Sequence, residues 1–484
     1  MEQSQLIELI QTLNPSERAQ IKEFAQISFV NHGAHRAKVI LLLDLCMAHP
    51  WKDPATVPDK RSMHASLYPE HEFKQWRLEH VMVEAHKIVR SFLGMKHYLS
   101  AENEFDQVLD FAKIVRARGL KNRYNQLITR LQKLQEETVI KCPEHYRRQF
   151  ELESEIHFEE CLNNHKKGDL NIPNLLKATD TFSFIRQFAV LSRYLLQQKV
   201  TRIEVPDYVQ HYLDQYPIPT SYLEASPLLK INYEIFNTLK KGLPDLQDIQ
   251  TLFELVRAYE KNIDDESLQE FYAYLRNFCV IFLMHNPEKL EIRQTLHELY
   301  QDNLASGYLL YNGKMSSSRY RAAIDNAIQI GQLEWAHTFI ENYKNELLGE
   351  NESRDLYRFN KAYYLFATGQ FVECLDCLPD ASTFVDYLFF GKRLELMALY
   401  ELKSELFHFK LDAFKMFLSR TSQKLLPEPL NKRNLEFANA LQQLAKSNPG
   451  DLKRAERVYQ RIKENKHGVD RQWLLEKARS LGRK

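Results

Sequence analysis

Two cysteines stand three positions apart in the sequence, at Cys374 and Cys377. A Cys-x-x-Cys pair carries redox chemistry beside a βαβ unit, and it binds zinc when a second pair or histidines complete four ligands. The sequence around it has helical periodicity and contains no second pair. We therefore expect these cysteines to serve packing, with Cys374 at a small buried position of a helix.

Three more residues with metal-binding side chains follow at intervals of four, namely His157, Cys161 and His165. This spacing places them on one face of a helix, with Glu160 close by. Zinc sites usually take ligands from more than one element and need groups that orient them. In a chain with 17 histidines, such a row is expected by chance, so we predict no metal and no other cofactor.

Motifs for nucleotide binding and hydrolysis are absent from the sequence. There is no GxxxxGK[ST], no GxGxxG after a strand and no GxSxG. His80, Glu84 and His86 lie on one predicted helix, but the two histidines lack the i, i+4 spacing of HExxH. We predict that the protein is not an enzyme and has no catalytic residues.

The strongest charge asymmetry lies between residues 111 and 135, a segment with seven basic residues and no acid. Clustered Lys and Arg are what phosphate binding requires. A nucleic-acid-associated protein is therefore one hypothesis, with Arg116, Arg123 and Arg130 as contacts and with the basic residues of 453–484 in support. Against it, the next predicted helix is acidic, and the formal net charge of the whole chain is only +1.

Composition favours helices throughout. The chain has only 14 glycines in 484 residues, about half the usual share of about 7%. Tight β-hairpins need glycine in their turns, whereas the abundant Leu, Lys, Glu and Gln are good helix formers. We predict an all-α protein.

The stretch Ser318–Arg420 repeats one pattern three times, with turn residues at Gly331, Gly369 and Ser404. The apolar positions share three offsets from the turn residue, at two, five and nine residues after it. They are Leu333, Ala336 and Ile340, then Phe371, Cys374 and Leu378, then Leu406, Phe409 and Ala413. The turn residues are 38 and 35 positions apart, which predicts a repeated pair of helices joined by a short turn.

These three units resemble tetratricopeptide repeats, a family of helix–turn–helix units of about 34 residues with Gly in the turn and small residues at fixed positions. Ala362, Gly369, Phe371 and Cys374 match that pattern, whereas the third unit departs from it and no unit has the family's Trp or closing Pro. The 318–440 pattern is also similar to a group of uncharacterised bacterial helical-repeat proteins. The resemblance implies a right-handed α-solenoid of antiparallel helix pairs.

An aromatic stripe marks the first helix of the middle unit, where Leu356, Phe359, Tyr363 and Phe366 follow one another at i, i+3, i+7 and i+10. In the family that it resembles, this helix lines a concave groove that binds peptides. Tyr363 and Phe366 would then anchor a partner protein, with Arg321 and Asp325 as polar neighbours. Burial of the stripe against the preceding unit is the other interpretation.

The rest of the chain predicts further helices, and their rhythm is regular from Ser226-Pro227 onward. Helices are expected there at about 226–241, 244–261, 264–285 and 287–305, as two antiparallel pairs. Asn14-Pro15, Asn286-Pro287 and Asn448-Pro449 predict capped helix starts. We expect an N-terminal helical cap or subdomain over 1–100, irregular helical hairpins over 101–220, and helical repeats with a C-terminal capping helix over 221–484. The sequence starts without a basic and apolar leader, and it has no apolar run near ~20 residues. We therefore expect a cytoplasmic scaffold or adaptor that binds a protein or peptide partner, with no membrane.

Overall fold

The structure is a computed structural model of the chain. It describes residues 4–49, 59–163, 168–201, 206–207, 209–210, 218–348, 350–379, 385–421, 428–447, 450–465 and 468–481. Within these ranges the chain forms 23 α-helices and no β-strand, so the all-α prediction is confirmed. None of the described helices is both long enough and apolar enough to cross a membrane.

The helices are numbered in chain order. Up to residue 201 they are α1 Gln5–Thr12, α2 Pro15–Gln26, α3 Arg36–Ala48, α4 Lys60–Leu67, α5 Gln75–Tyr98, α6 Glu104–Ala117, α7 Lys121–Glu137, α8 Pro143–Asn163 and α9 Ile172–Thr201. From residue 220 they are α10 Thr220–Ala225, α11 Pro227–Lys241, α12 Leu246–Tyr259, α13 Asp265–His285, α14 Leu290–Ala305, α15 Ser317–Gln329, α16 Leu333–Asn342, α17 Glu350–Ala367, α18 Phe371–Cys377, α19 Val385–Glu401, α20 Leu406–Arg420, α21 Glu428–Ala445, α22 Leu452–Glu464 and α23 Arg471–Leu481.

The chain divides into two compact units, Met1–Arg186 and Gln187–Lys484, with the boundary inside α9. In the first unit, buried apolar side chains of α1 to α5 form one cluster, and those of α6, α7 and α8 form another. The division of the sequence into 1–100, 101–220 and 221–484 stays a prediction.

In the second unit each helix packs on the next one along the chain, from α11 to α23. The first helices of successive pairs also pack side by side, since α15 contacts α17 and α17 contacts α19. The apolar faces are shared between neighbours, because a single pair of amphipathic helices cannot bury its own. One apolar cluster of this unit runs from Ala362 to Leu481.

The turns of the three repeated units share a left-handed residue, but the third one differs from the prediction. Gly331 and Gly369 have φ values of 78° and 79°, and the corresponding residue is Lys403, with φ 49°, rather than Ser404. The backbone hydrogen bonds agree, since the residue after each of these bonds back to Ala327, Leu365 or Leu399. Such turns are usually marked by a glycine, which position 403 lacks. The turn of the third unit was therefore predicted one residue too late, at Ser404.

The side chains expected in the core of the third unit are exposed. Phe409 is 70% exposed and Leu406 58% exposed, and Ala413 is exposed as well. The side chains of α20 that enter the core are Phe407, Leu411, Phe414 and Leu418. Relative to the prediction, α20 is therefore rotated about its axis.

Proline-containing caps occur at two predicted helix starts. The Asn14 side chain accepts a hydrogen bond from the Glu17 backbone amide at 2.9 Å, the Asn14 backbone amide donates one to the Glu17 carboxylate, and Pro15 is the first residue of α2. Ser226 caps α11 in the same position before Pro227. The expectation for Asn286-Pro287 was wrong, because the Asn286 side chain caps the end of α13 through the carbonyl of Phe282. Asn448-Pro449 lies outside the described residues.

Candidate partner-binding site

The second unit contains a cavity of about 950 Å³. The first helices of five successive pairs contribute to its wall, namely α13, α15, α17, α19 and α21. The second helices contribute little, apart from Arg293 on α14 and Phe371 on α18, and the last helix, α23, supplies one side. The cavity therefore lies on the side of the second unit that these first helices form.

All four residues predicted to bind a partner line this cavity. The Tyr363 hydroxyl donates a hydrogen bond to Asp325 at 2.9 Å and accepts one from Gln329 at 3.3 Å. The Arg321 guanidinium lies over the Phe390 ring, 4.0 Å from its centroid. Phe366 packs against Phe371 and Trp473. These side chains are half-buried, so part of each one faces the cavity and part packs on the neighbouring unit.

The repeat explains why Tyr363 and Asp325 meet. They lie 38 residues apart, each six positions before the left-handed turn residue of its own unit, so they hold equivalent places on α17 and α15. Burial, together with the charge of Asp325, raises the pKa of Tyr363 well above its usual value. The phenol therefore stays protonated and donates its hydrogen bond at all physiological pH values.

The last helix, α23, closes one side of the cavity through polar contacts that the sequence did not suggest. Trp473 Nε1 donates a hydrogen bond to Glu401 at 2.8 Å, and Lys477 forms an ion pair with the same carboxylate at 2.5 Å. Just before the helix, Asp470 forms an ion pair with Arg393 at 2.6 Å. The Trp473 ring also contacts Tyr400.

Sequence reasoning missed Glu401, Asp470 and Trp473 as residues of this cavity. The pairs join residues 72 and 77 positions apart, and helical periodicity reports only on neighbours three to eight positions away. A partial signal was present, because Trp473, Leu474 and Leu475 stand together in a predicted C-terminal helix.

The three arginines proposed for nucleic-acid binding have different surroundings in the first unit. Arg116 forms an ion pair with Glu155 at 2.6 Å and stacks on Phe158. Arg130 forms an ion pair with Glu104. Arg123 is exposed and donates a hydrogen bond to Gln126. Two of the three guanidiniums are thus bound to carboxylates of the same unit.

The cysteine and histidine candidates also have protein partners. Cys374 is completely buried in the apolar cluster, as predicted, and burial raises its thiol pKa to about 12. His157 Nδ1 lies 2.7 Å from the carbonyl oxygen of Leu170, and its ring lies beside the thiol of Cys161. His165 lies outside the described residues, and among those described no three His, Cys, Asp or Glu side chains are grouped for a metal ion.

Comparisons were made with protein-family models, with curated proteins and with solved structures. None of the three found a match to this chain.

Proposed function

We propose that residues 221–484 form a right-handed α-solenoid of tetratricopeptide-like helix pairs, and that the protein is a non-enzymatic scaffold. A segment of a partner protein binds along the concave face of this solenoid, which the first helices line. Tyr363 and Phe366 supply aromatic contacts to the partner, and Arg321 and Asp325 supply polar ones.

One observation carries this proposal. The four residues chosen from the sequence pattern lie in one cavity, and the first helices of five successive pairs build its wall. Stacked helix pairs use such a face for extended ligands. Half-buried aromatic and arginine side chains are the residue types that dominate binding energy in protein interfaces.

The experiment is a selection of random 12-residue peptides, displayed on phage, against the immobilised full chain. We expect enriched peptides whose dissociation constants rise at least tenfold with Phe366→Ala, because truncating an interface aromatic commonly costs ~2 kcal/mol. Phe409→Ala is the matched control, since Phe409 is an exposed aromatic that does not line the cavity.

Thermal unfolding of each variant separates a loss of binding from a loss of fold. Phe366→Leu provides a second check, because it keeps an apolar side chain at the site while removing the aromatic ring. Enriched peptides that bind wild type and Phe366→Ala equally, or no enriched peptides at all, would contradict the proposed site.

The cytoplasm is part of the proposal, because none of the six cysteines forms a disulfide, as is usual in reducing compartments. The alternative, nucleic-acid association through 111–135 and 453–484, draws its remaining support from exposed Arg123 and from exposed basic side chains of α22. The ion pairs of Arg116 and Arg130 favour the scaffold over this alternative.

A further inference from the structure

The carboxylates inside the cavity are already bound by the protein. Asp325 accepts the hydrogen bond of Tyr363, Glu401 accepts those of Trp473 and Lys477, and Asp470 is paired with Arg393. These three carboxylates are half-buried. The other two that line the cavity, Glu288 and Glu476, are exposed at its edge, where water screens their charge.

Three cavity arginines lack such partners. Arg293, Arg321 and Arg433 are half-buried, and none forms an ion pair with any carboxylate in the described part of the chain. Arg321 rests on the faces of Phe390 and Tyr387, a contact that leaves the edge donors of its guanidinium unused. Arg293 donates one bond, from Nε to the carbonyl of Pro287.

The three guanidiniums without a carboxylate partner come from three separate helices, α14, α15 and α21. The aromatic rings of Phe366, Phe390 and Trp473 line the same cavity. Arginine binds carboxylates with two parallel hydrogen bonds, and these bonds gain strength where water is partly excluded. The aromatic surface in the cavity suits apolar side chains.

We propose that the segment bound in this cavity is acidic, with Asp or Glu side chains that pair with Arg321 and Arg433 and with apolar side chains against the aromatic rings that line the cavity. This inference rests on the proposed function, since it names the chemistry of the partner at the same site. The recognised groups are side-chain carboxylates within a segment, not a chain terminus.

A nucleic-acid strand fits the cavity less well. Arg471 and the three arginines named above line it together with five carboxylates, so a ligand with a charge on every nucleotide is repelled as well as attracted. A peptide with a few carboxylates, placed opposite the unpaired arginines, meets only the favourable part of that field.

The test uses the peptides selected on phage, which are fused at their C-terminus and so can be recognised only through internal groups. We expect the peptides that depend on Phe366 to carry net negative charge. Their dissociation constants should rise about tenfold with Arg433→Gln and with Arg321→Gln, because a hydrogen bond to a charged group is worth roughly 1.5–3 kcal/mol. Arg457→Gln, an exposed arginine outside the cavity, should leave them unchanged.

A matched change in the peptide shows whether the arginines contact the ligand directly. Replacing its acidic residues with Asn or Gln should weaken binding to the wild type, but should have less effect on the Arg433→Gln variant, since the paired group is already gone. If Arg433 has only a structural role, replacing the acidic residues of the peptide should weaken binding to the wild type and to the Arg433→Gln variant equally.

The outcomes separate the two proposals. If the peptides that depend on Phe366 are neutral or basic, and bind the Arg433→Gln variant as tightly as the wild type, the acidic-segment proposal is wrong. The proposed scaffold function is then still supported. The acidic-segment proposal is also overturned if a polyuridine oligonucleotide displaces the selected peptides and the Arg433→Gln variant no longer binds that oligonucleotide. The absence of any peptide sensitive to Phe366→Ala overturns both.

Discussion

Arg116 and Arg123 belong to the same basic segment, and the difference in their surroundings decides what each can do. Arg116 is four-fifths buried and bound to Glu155, which is 6% exposed. Arg123 lies on the exposed face of α7. The sequence predicted that acidic residues of 143–166 would match this basic charge, and the structure assigns that role to Glu155. It did not predict that the arginine would come from α6 rather than α7.

Truncation of these two arginines should have unequal effects on stability. Arg116→Ala leaves the buried Glu155 carboxylate without its ion pair, and we expect a loss of about 3 kcal/mol in the free energy of unfolding. Arg123→Ala should cost less than ~0.5 kcal/mol, as for other surface changes. Urea unfolding of the full chain measures both changes. Equal losses for the two variants would show that the buried ion pair does not contribute more to the free energy of unfolding than a surface arginine does.

At the scale of the element, the helices were predictable and the rotation of α20 was not. Four helices expected at about 226–241, 244–261, 264–285 and 287–305 are α11 to α14, with ends that differ by three residues or fewer. Their apolar periodicity and their caps are local signals. The turn before α20 is at Lys403, one position before the predicted one, and there a non-glycine residue adopts the left-handed conformation. No local signal marked that residue, because lysine rarely does so.

The turn at Lys403 is therefore a place where glycine should stabilise the fold. A side chain in the left-handed region costs roughly 1–2 kcal/mol, and the added freedom of glycine in the unfolded chain offsets about 0.4–1 kcal/mol of this. We expect Lys403→Gly to raise the free energy of unfolding by about 0.5–1 kcal/mol. Lys403→Ala, which keeps the Cβ, should leave it within ~0.5 kcal/mol. A urea midpoint lower for Lys403→Gly than for Lys403→Ala contradicts the left-handed turn.

At the scale of the whole molecule, the residues that make the candidate site come from distant parts of the chain. The sequence repeat made it possible to predict part of this site, because it assigns four of its residues to the first helices of neighbouring units. They are Arg321, Asp325, Tyr363 and Phe366. The contribution of α23 was not, since the contacts of Trp473 and Asp470 with α19 span more than 70 residues. The sequence therefore identified one wall of the cavity and missed another.

The central claim is that the first helices of the second unit present the surface that binds a partner segment. Hydrogen–deuterium exchange of the full chain, with and without a saturating selected peptide, tests it most directly. We predict slower amide exchange in α15, α17, α19 and α21 on binding, with little change in the second helices α16, α20 and α22. Protection confined to those second helices, or to Met1–Arg186, would contradict the claim.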